Sequence, residues 1–429
     1  MPPVWQGGKL RTVKYLNALK SPGCGFRTYR RAVVILVFLG LTAYFLLPVW
    51  AASSSNYDPL RLYTEALFEI TQKYVWPKKE DDLIYGSLRG MMNSLDPDSS
   101  FLTPQEYQSY LHGEKSSPAD AGLVLIVKDN LLTVASVIDD SPASRAGLKP
   151  GDHILKIDDK PVHNLTTQEA MRRFQGAAEK KINLQVLRNG EVKPLDVTVT
   201  LAPLGTTTVA ARYLDHTVAY VRISYFNNET PVELDTALKN IQKHQPPVQG
   251  LVLDLRNNAR GTMEEAVRST SLLLGDQKIL IAKGRSPESE ESFAGKERDQ
   301  VFKKLPPMVV LVDHGTARAA EIMAGALQSQ ARVTLLGTKT LGLCGLTKTF
   351  QLEDGSALVM TVAQCYTPKG AKIQGKGLEP EVPGATPKEE VAKEKAPGKA
   401  LTPEQDPWVQ QAVGLLTSGK SPAALKKAS

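Results

Sequence analysis

The sequence predicts a multidomain α/β (α+β) protein, with a helical region and a small strand-rich domain ahead of a larger domain of alternating strands and helices. Three observations carry that expectation. Between Asp58 and about Gly113 apolar residues recur at helical spacing. From 117 to about 203, short alternating strands are punctuated by Gly and Pro turns. From Thr206 to about Gly384, continuous apolar strands alternate with amphipathic helices, the pattern of βαβ units around a mostly parallel sheet. A chain of 429 residues with 42% hydrophobic content has enough length and apolar content for two or three packed cores.

In chain order, residues 1–31 form a basic lead. Lys9, Arg11, Lys14, Lys20, Arg27, Arg30 and Arg31 all precede the first acidic residue, Asp58. Removing those seven from the 52 basic residues leaves 45, equal to the acidic count, so the formal charge of +7 resides in the lead. The rest is neutral overall, which argues against nucleic acid as a partner. Ala32 to Ala52 is a run of 21 uncharged residues, long enough to span a bilayer with the basic flank on the cytoplasmic side. The small residues of Val49-Trp50-Ala51-Ala52-Ser53 equally suit a cleavage site, so 32–52 reads as a signal peptide or a membrane anchor, and the remainder as exported.

Region 56–116 carries Leu60, Leu62, Leu67, Ile70, Tyr74, Leu83, Leu88, Met91, Met92 and Leu95 at helical spacing. Pro97 and its short polar neighbours end a helix there. In 117–203 a short helix ends at Gly147, Pro150-Gly151 turns the chain, and Ile154 to Ile157 begin a strand. Thr167 to Gln175 reads as a helix, and Ile182–Val186 and Leu195–Leu201 as strands around the Asn189-Gly190 turn. His153 and His163 read as lone surface histidines rather than ligands, and the sequence asks for no metal or other cofactor.

In 204–384, strands are expected at Val218–Ile223, Gly250–Arg256, Met308–Val312 and Val333–Leu336. Helices are expected at Val232–His244, Ala266–Leu274 and Ala319 to about Gln328. Residues 385–406 mix Pro, Lys, Glu and Ala with charges of alternating sign, a solvated linker. The last segment, 407–429, holds a short amphipathic helix, Pro407 to Leu416, and a tail. Of the three cysteines, Cys24 precedes the apolar run. Cys344 and Cys365 pair or stay as small buried hydrophobes, and the base rate of buried cysteine favours two unpaired thiols.

The stretch Ser141-Pro142-Ala143-Ser144-Arg145-Ala146-Gly147-Leu148-Lys149-Pro150-Gly151-Asp152 resembles part of a PDZ domain. That resemblance implies capture of a peptide C-terminus as an added strand, its carboxylate held by backbone amides. The loop would be Ala121-Gly122-Leu123 and the receiving edge Leu123 to Ile126. The peptide-binding positions are thus Gly122, Leu123, Val124, Leu125, Met171 and Phe174, with apolar tails preferred. An internal spacer is the bland alternative for the same fold.

The segment from Val309 to Ile322 reads as a buried strand, a tight turn and a helix start. With Ser94-Leu95-Asp96-Pro97, Leu253-Asp254-Leu255-Arg256-Asn257-Asn258 and Tyr366-Thr367-Pro368-Lys369-Gly370, it resembles the carboxy-terminal processing (tail-specific) serine peptidases. The resemblance runs from about Asp58 to Pro383 and implies that family's ββα-type αβ core. It also implies a bacterial cell-envelope or periplasmic setting, and an N-terminal helical region suited to homodimerisation. In the family's Gly-Ser-Ala-Ser-Ala-Ser-Glu-Ile turn the middle serine attacks, and in this register that position is Arg318. Without a gap, the family's catalytic lysine falls on Leu343 and the glutamine that orients it on Thr347. The oxyanion turn reads Asn257-Asn258-Ala259-Arg260-Gly261, where Arg260 replaces a glycine and is expected to disfavour a positive-φ backbone.

A serine–lysine dyad needs a hydroxyl held against a neutral amine. Arg318, Leu343 and Thr347 supply neither. The expectation is therefore a pseudopeptidase that binds protein C-terminal tails, as adaptor or regulator of an active peptidase. The alternatives are an active serine-type peptidase with relocated catalytic residues, and a structural envelope scaffold. For relocation the nearby candidates are Cys344, His314, Asp313, Thr316, Lys339 and Lys348, and nothing in sequence places His314 against Cys344. Arg318 and Arg260 have two readings: a pair of guanidinium groups holding a carboxylate in a former cleft, or side chains pointing to solvent.

Overall fold

The computed structural model describes residues 58–418, apart from 117–118, 129–130, 163–164, 166, 215–216, 332 and 386–401. The basic lead 1–31, the apolar run 32–52, most of the expected linker and the tail after 418 lie outside the described residues. No helix among the described residues is long and apolar enough to cross a membrane.

Two units divide the chain, 1–80 and 81–429. In the first, helix α1 (Asp58–Lys73) has Asp58 in its first turn and Lys73 in its last, charges that suit the helix dipole. None of its residues is buried, so its apolar stripe of Leu60, Phe68 and Ile70 is exposed.

The second unit opens with α2 (Glu80–Asn93), after which Asp96 folds the following loop. Its carboxylate accepts the Asp98 amide at 2.9 Å and the Ser99 hydroxyl at 3.1 Å, the local turn chemistry of a short acidic side chain. The chain continues into β1 (Ser100–Leu102) and α3 (Pro104–Ser116). Thr103 and Glu106 cap α3 reciprocally, each side chain bonding the other's amide.

The small domain follows as β2 (Ala119–Asp120), β3 (Leu123–Lys128), β4 (Leu131–Val137), α4 (Pro142–Arg145), β5 (His153–Ile157), β6 (Lys160–Pro161), α5 (Thr167–Arg173), β7 (Gln175–Gly176), β8 (Lys181–Leu187) and β9 (Leu195–Thr200). Its antiparallel sheet runs β3-β4-β5-β8-β9, with β6 on β5, and β2 pairs with β7. Ser141 caps α4 by accepting the Ser144 amide, and Gly147 beyond it takes φ +82°, so the Ser-Pro…Gly signal operates as read. On β8, Ile182, Leu184 and Val186 alternate inward onto a core with Leu123, Leu125, Ile154, Ile157 and Phe174. Helix α5 stops at Arg173 instead of Gln175. Gln175 pairs with Asp120 across β2–β7, and Gly176 takes φ +156°, a conformation that strands and helices of other residues avoid.

The large domain comprises β10 (Val209–Leu214), β11 (Val218–Ile223), α6 (Thr230–Gln242), β12 (Gly250–Asp254), α7 (Met263–Leu274), β13 (Lys278–Lys283), β14 (Glu290–Ala294), β15 (Met308–Val312), α8 (Ala319–Gln330), β16 (Thr334–Gly337), β17 (Gly345–Gln351), β18 (Ala357–Tyr366) and β19 (Val382–Pro383), followed by α9 (Pro407–Thr417). Its main sheet is ordered β10-β11-β12-β15-β16-β19, antiparallel at β10 and parallel thereafter. Strands β12 and β15 are buried along their whole length because both sheet faces are covered. Helices α6, α7 and α8 cover one face through Leu234, Leu238, Leu273 and Met323. The final helix α9 covers the other, setting Val409 and Ala412 against Tyr220, Val252, Val309 and Leu336. A second, antiparallel sheet, β1-β18-β13-β14 with β17 on β18, was not resolved by periodicity.

A chain of charges crosses the molecule beneath the ends of these strands. Arg222 donates to Asp139 of the small domain at 2.8 Å and to Asp254 at 3.2 Å. Arg256 pairs with Asp254 and, at 2.9 Å, with Asp406, the N-cap of α9. Burial opposes ionisation of Asp254, but Arg256 and Arg222 beside it hold its carboxyl well below the usual range.

Candidate functional site

Strand β15 delivers the chain into a tight elbow that ends at Arg318, the N-cap of α8. Arg318 has φ +53° and ψ −119°, a backbone that a residue with a side chain adopts only when its surroundings impose it. Those surroundings are visible. The Arg318 amide donates to the Leu343 carbonyl at 2.9 Å and the Ala317 amide to the Asn258 carbonyl at 2.9 Å. Half-buried Asp313 accepts the amides of Asn257 at 2.8 Å and Gly315 at 3.0 Å. Its pKa is raised by burial against these hydrogen bonds. The Thr316 hydroxyl sits fully buried among Leu255, Asp313 and its own turn.

The Arg318 guanidinium ion-pairs with Asp98, a carboxylate 5% exposed on the loop ahead of β1. Arg260 likewise pairs with Asp120 of the small domain, at 2.9 Å. The two guanidinium groups do not share one carboxylate: each, about a third exposed, holds a different carboxylate of its own chain instead of pointing free into solvent. The backbone expectation at Arg260 is corrected too. Positive φ falls on Asn257 (+53°) and Gly261 (+129°), not on Arg260. A Cβ at Gly261 would meet that of Phe226 at 2.4 Å, so the glycine the turn needs is the one retained.

Leu343 is 6% exposed and sits in an apolar cluster drawn from both domains. Ala259, Ala317 and Leu341 come from the large domain, and Val124, Ile126 and Ala135 from β3 and β4. The small domain therefore rests on the position where a lysine was expected. Glu321 fixes the loop beneath by accepting the Thr340 hydroxyl, the Gly342 amide at 2.7 Å and the Leu343 amide at 3.0 Å. Burial pushes its carboxyl up to about 7 against those same hydrogen bonds. Thr347 lies exposed on β17, opposite Thr361 of β18.

Cys344 and Cys365 are bonded to each other, with Cα atoms 5.5 Å apart. The sequence favoured two free thiols, and the correction follows from topology. Cys344 immediately precedes β17, whose pairing with β18 sets it opposite Cys365, and the Cys365 amide donates to its carbonyl at 3.1 Å. The bond removes Cys344 as a nucleophile. His314 is exposed, Lys348 is exposed, and Lys339 faces Glu379 at 3.6 Å. Of the residues considered for a relocated site, the Thr316 hydroxyl bonds the Asp313 carboxylate at 3.0 Å but is fully buried.

The positions expected to bind a peptide are mostly occupied by the small domain's own contacts. Leu123, Leu125 and Phe174 are core side chains, and Val124 faces Leu343. Met171 takes the Leu125 amide on its sulfur at 3.3 Å. Gly122 has φ +75°, and a Cβ there would lie 2.2 Å from that of Ser141. The Gly122 amide donates to Asp120 at 2.7 Å and the Ala121 amide to the Phe174 carbonyl at 2.9 Å. Of the partners of the two arginines, Asp98 is legible in the sequence only as one of the short polar residues beside Pro97 that end a helix, and Asp120 carries no signal there.

Two family models match the chain, one described as peptidase family S41 over residues 217–383 and one as a PDZ domain over 119–199. The chain is 32% identical over 359 residues to a carboxy-terminal-processing protease of Bartonella bacilliformis, covering 82% of each. It is 32% identical over 339 residues to carboxy-terminal processing protease CtpA of Bacillus subtilis, covering 79% of this chain and 71% of that one. In fold it resembles the photosystem II D1 C-terminal processing protease, with a TM-score of 0.64 at 23% identity over 82% of this chain and 99% of that one.

Proposed function

Since the chain belongs to the carboxy-terminal processing proteases of peptidase family S41, with a PDZ domain, we propose that it is a pseudopeptidase of that family. Its work is to hold protein C-terminal tails without cutting them, as adaptor or regulator in the bacterial cell envelope. The observation that carries this reading is Arg318. It stands in the nucleophile elbow with the elbow's strained backbone, bears no ionisable hydroxyl or thiol, and is tied to Asp98. Leu343 and Thr347 leave the base and its orienting partner without the required groups. Loss of one member of such a dyad costs about a million-fold in rate in a serine protease, so loss of both leaves no useful hydrolysis.

The same reading assigns 56–116 as the helical region, 117–203 as the PDZ domain and 204–384 as the peptidase-like core. Export is supported by the basic lead and apolar run and by a disulfide, which persists in oxidising compartments. The test is cleavage. The full chain in mild detergent is incubated with unfolded casein and with peptides ending in apolar residues, beside the Arg318→Ser, Leu343→Lys, Thr347→Gln variant. No cleavage by the unaltered chain, together with saturable peptide binding, is expected. Specific cleavage by the unaltered chain would sink the proposal.

A further inference from the structure

We propose that Arg260 and the Gly122 amide form one composite site for the terminal carboxylate of a bound tail, at the junction of the PDZ domain and the core. Asp120 occupies it as a resident stand-in. This rests on the tail-binding reading above and adds to it a cation supplied by the peptidase-like core.

Three donors from different parts of the chain converge on the Asp120 carboxylate. One oxygen accepts the Gly122 amide at 2.7 Å. The other accepts Arg260 Nη2 at 2.9 Å and Gln175 Nε2 at 3.2 Å. A backbone amide, a guanidinium and a side-chain amide around one carboxylate are the chemistry of terminal-carboxylate recognition. The site has capacity beyond its present occupant. Arg260 Nη1 is buried and has no hydrogen-bond partner among the described residues, so the planar fork that suits a carboxylate's two oxygens is only half used.

Position along the chain fits the same ligand. Gly122 immediately precedes β3, whose edge a tail would extend, so an antiparallel tail ends at the Gly122 amide. At that edge the Leu125 amide is held by the Met171 sulfur, a weak acceptor that a peptide carbonyl outcompetes. Asp120 reaches Gly122 from two residues upstream, and rotation of its side chain vacates the site without unfolding β2. Arg260 is itself fixed, because its carbonyl accepts the Phe226 amide at 3.1 Å and Gly261 behind it packs on Phe226.

The experiment titrates the full chain in detergent with a fluorescent decapeptide ending in Val-Ala-Leu, as free acid and as C-terminal amide. The free acid is expected to bind at least about tenfold more tightly than the amide, the range of a charge-assisted hydrogen bond. Arg260→Gln is expected to reduce that preference severalfold, weakening binding of the acid more than binding of the amide. Asp120→Asn, which keeps an acceptor for Gly122 but frees Arg260, is expected to strengthen binding of the acid severalfold. Binding of the acid that ignores both substitutions overturns the composite site and leaves tail binding standing. Failure of the wild-type chain to bind either peptide overturns tail binding and this site with it. If Arg260→Gln does not fold, Asp120→Asn and Arg260→Lys decide, an unchanged affinity in Asp120→Asn counting against the proposal.

Discussion

At the scale of single residues, the environment of the elbow extends beyond the three positions that its motif marks. Asp98 belongs to it, because a nearly buried carboxylate is compensated by the Arg318 guanidinium. Arg318→Ser is expected to lower stability by about 1–3 kcal/mol by leaving that carboxylate unpaired, and Asp98→Asn in the same background to restore most of it. Urea denaturation midpoints of the two variants give the comparison. Glu321 supplies a second expectation. Its native pKa, about 7 against the usual 4.5, is raised, so the native state binds the extra proton. Its stabilising contribution is full below about 4.5 and is lost as pH rises through about 7, about 3 kcal/mol in all. Glu321→Gln should flatten thermal midpoints measured from pH 5 to 7.5. The depressed carboxyl of Asp254 works in the opposite sense and governs the acid side. The substitutions themselves were legible because spacing within a motif is local. Their partners were not, since Asp98 lies 220 residues from Arg318 and Asp120 lies 140 from Arg260, and no periodicity encodes contacts at that range.

At the scale of elements, strands with one chemical character along their length were readable, and strands defined by their neighbours were not. β12 and β15 are continuous apolar runs because both faces are covered, whereas β17 begins Gly345-Leu346-Thr347-Lys348, mixes small, apolar and polar side chains, and buries none of its residues fully. That hairpin decided the cysteines as well. Only its register brings Cys344 opposite Cys365, and a sequence separation of 21 carries no such information. A cross-link closing a loop of that size is worth about 3 kcal/mol in the chain-entropy treatment. The Cys344→Ser, Cys365→Ser variant is therefore expected to melt several degrees lower, with its midpoint insensitive to reductant, while the parent drops toward it when reduced. Thermal scans with and without dithiothreitol measure both.

At the scale of the whole second unit, the small domain is seated on the apolar cluster around Leu343. Leu343 is the pivot of that seat, with Val124 and Ile126 above it and Ala259 and Ala317 below. Leu343→Asp places a carboxylate among apolar side chains and is expected to unseat the small domain while both domain cores persist. Limited proteolysis is the readout, with faster cutting near Leu204-Gly205 in the variant and unchanged circular dichroism. Equal cutting rates would mean that Leu343 contributes nothing to docking.

The ion pairs that span the two domains give this seating an electrical consequence. Asp120 neutralises Arg260 and Asp139 neutralises Arg222, and both aspartates ride on the small domain while both arginines stay on the core. Closed, the junction is compensated; parted, Arg260 loses its carboxylate, whereas Arg222 keeps Asp254 of its own domain at 3.2 Å. Each face then attracts its former partner over roughly a Debye length, about 8 Å at physiological ionic strength. Salt therefore becomes a control on how long the domains stay apart, and an acidic chain end entering the gap takes over a charge that the protein itself had been balancing.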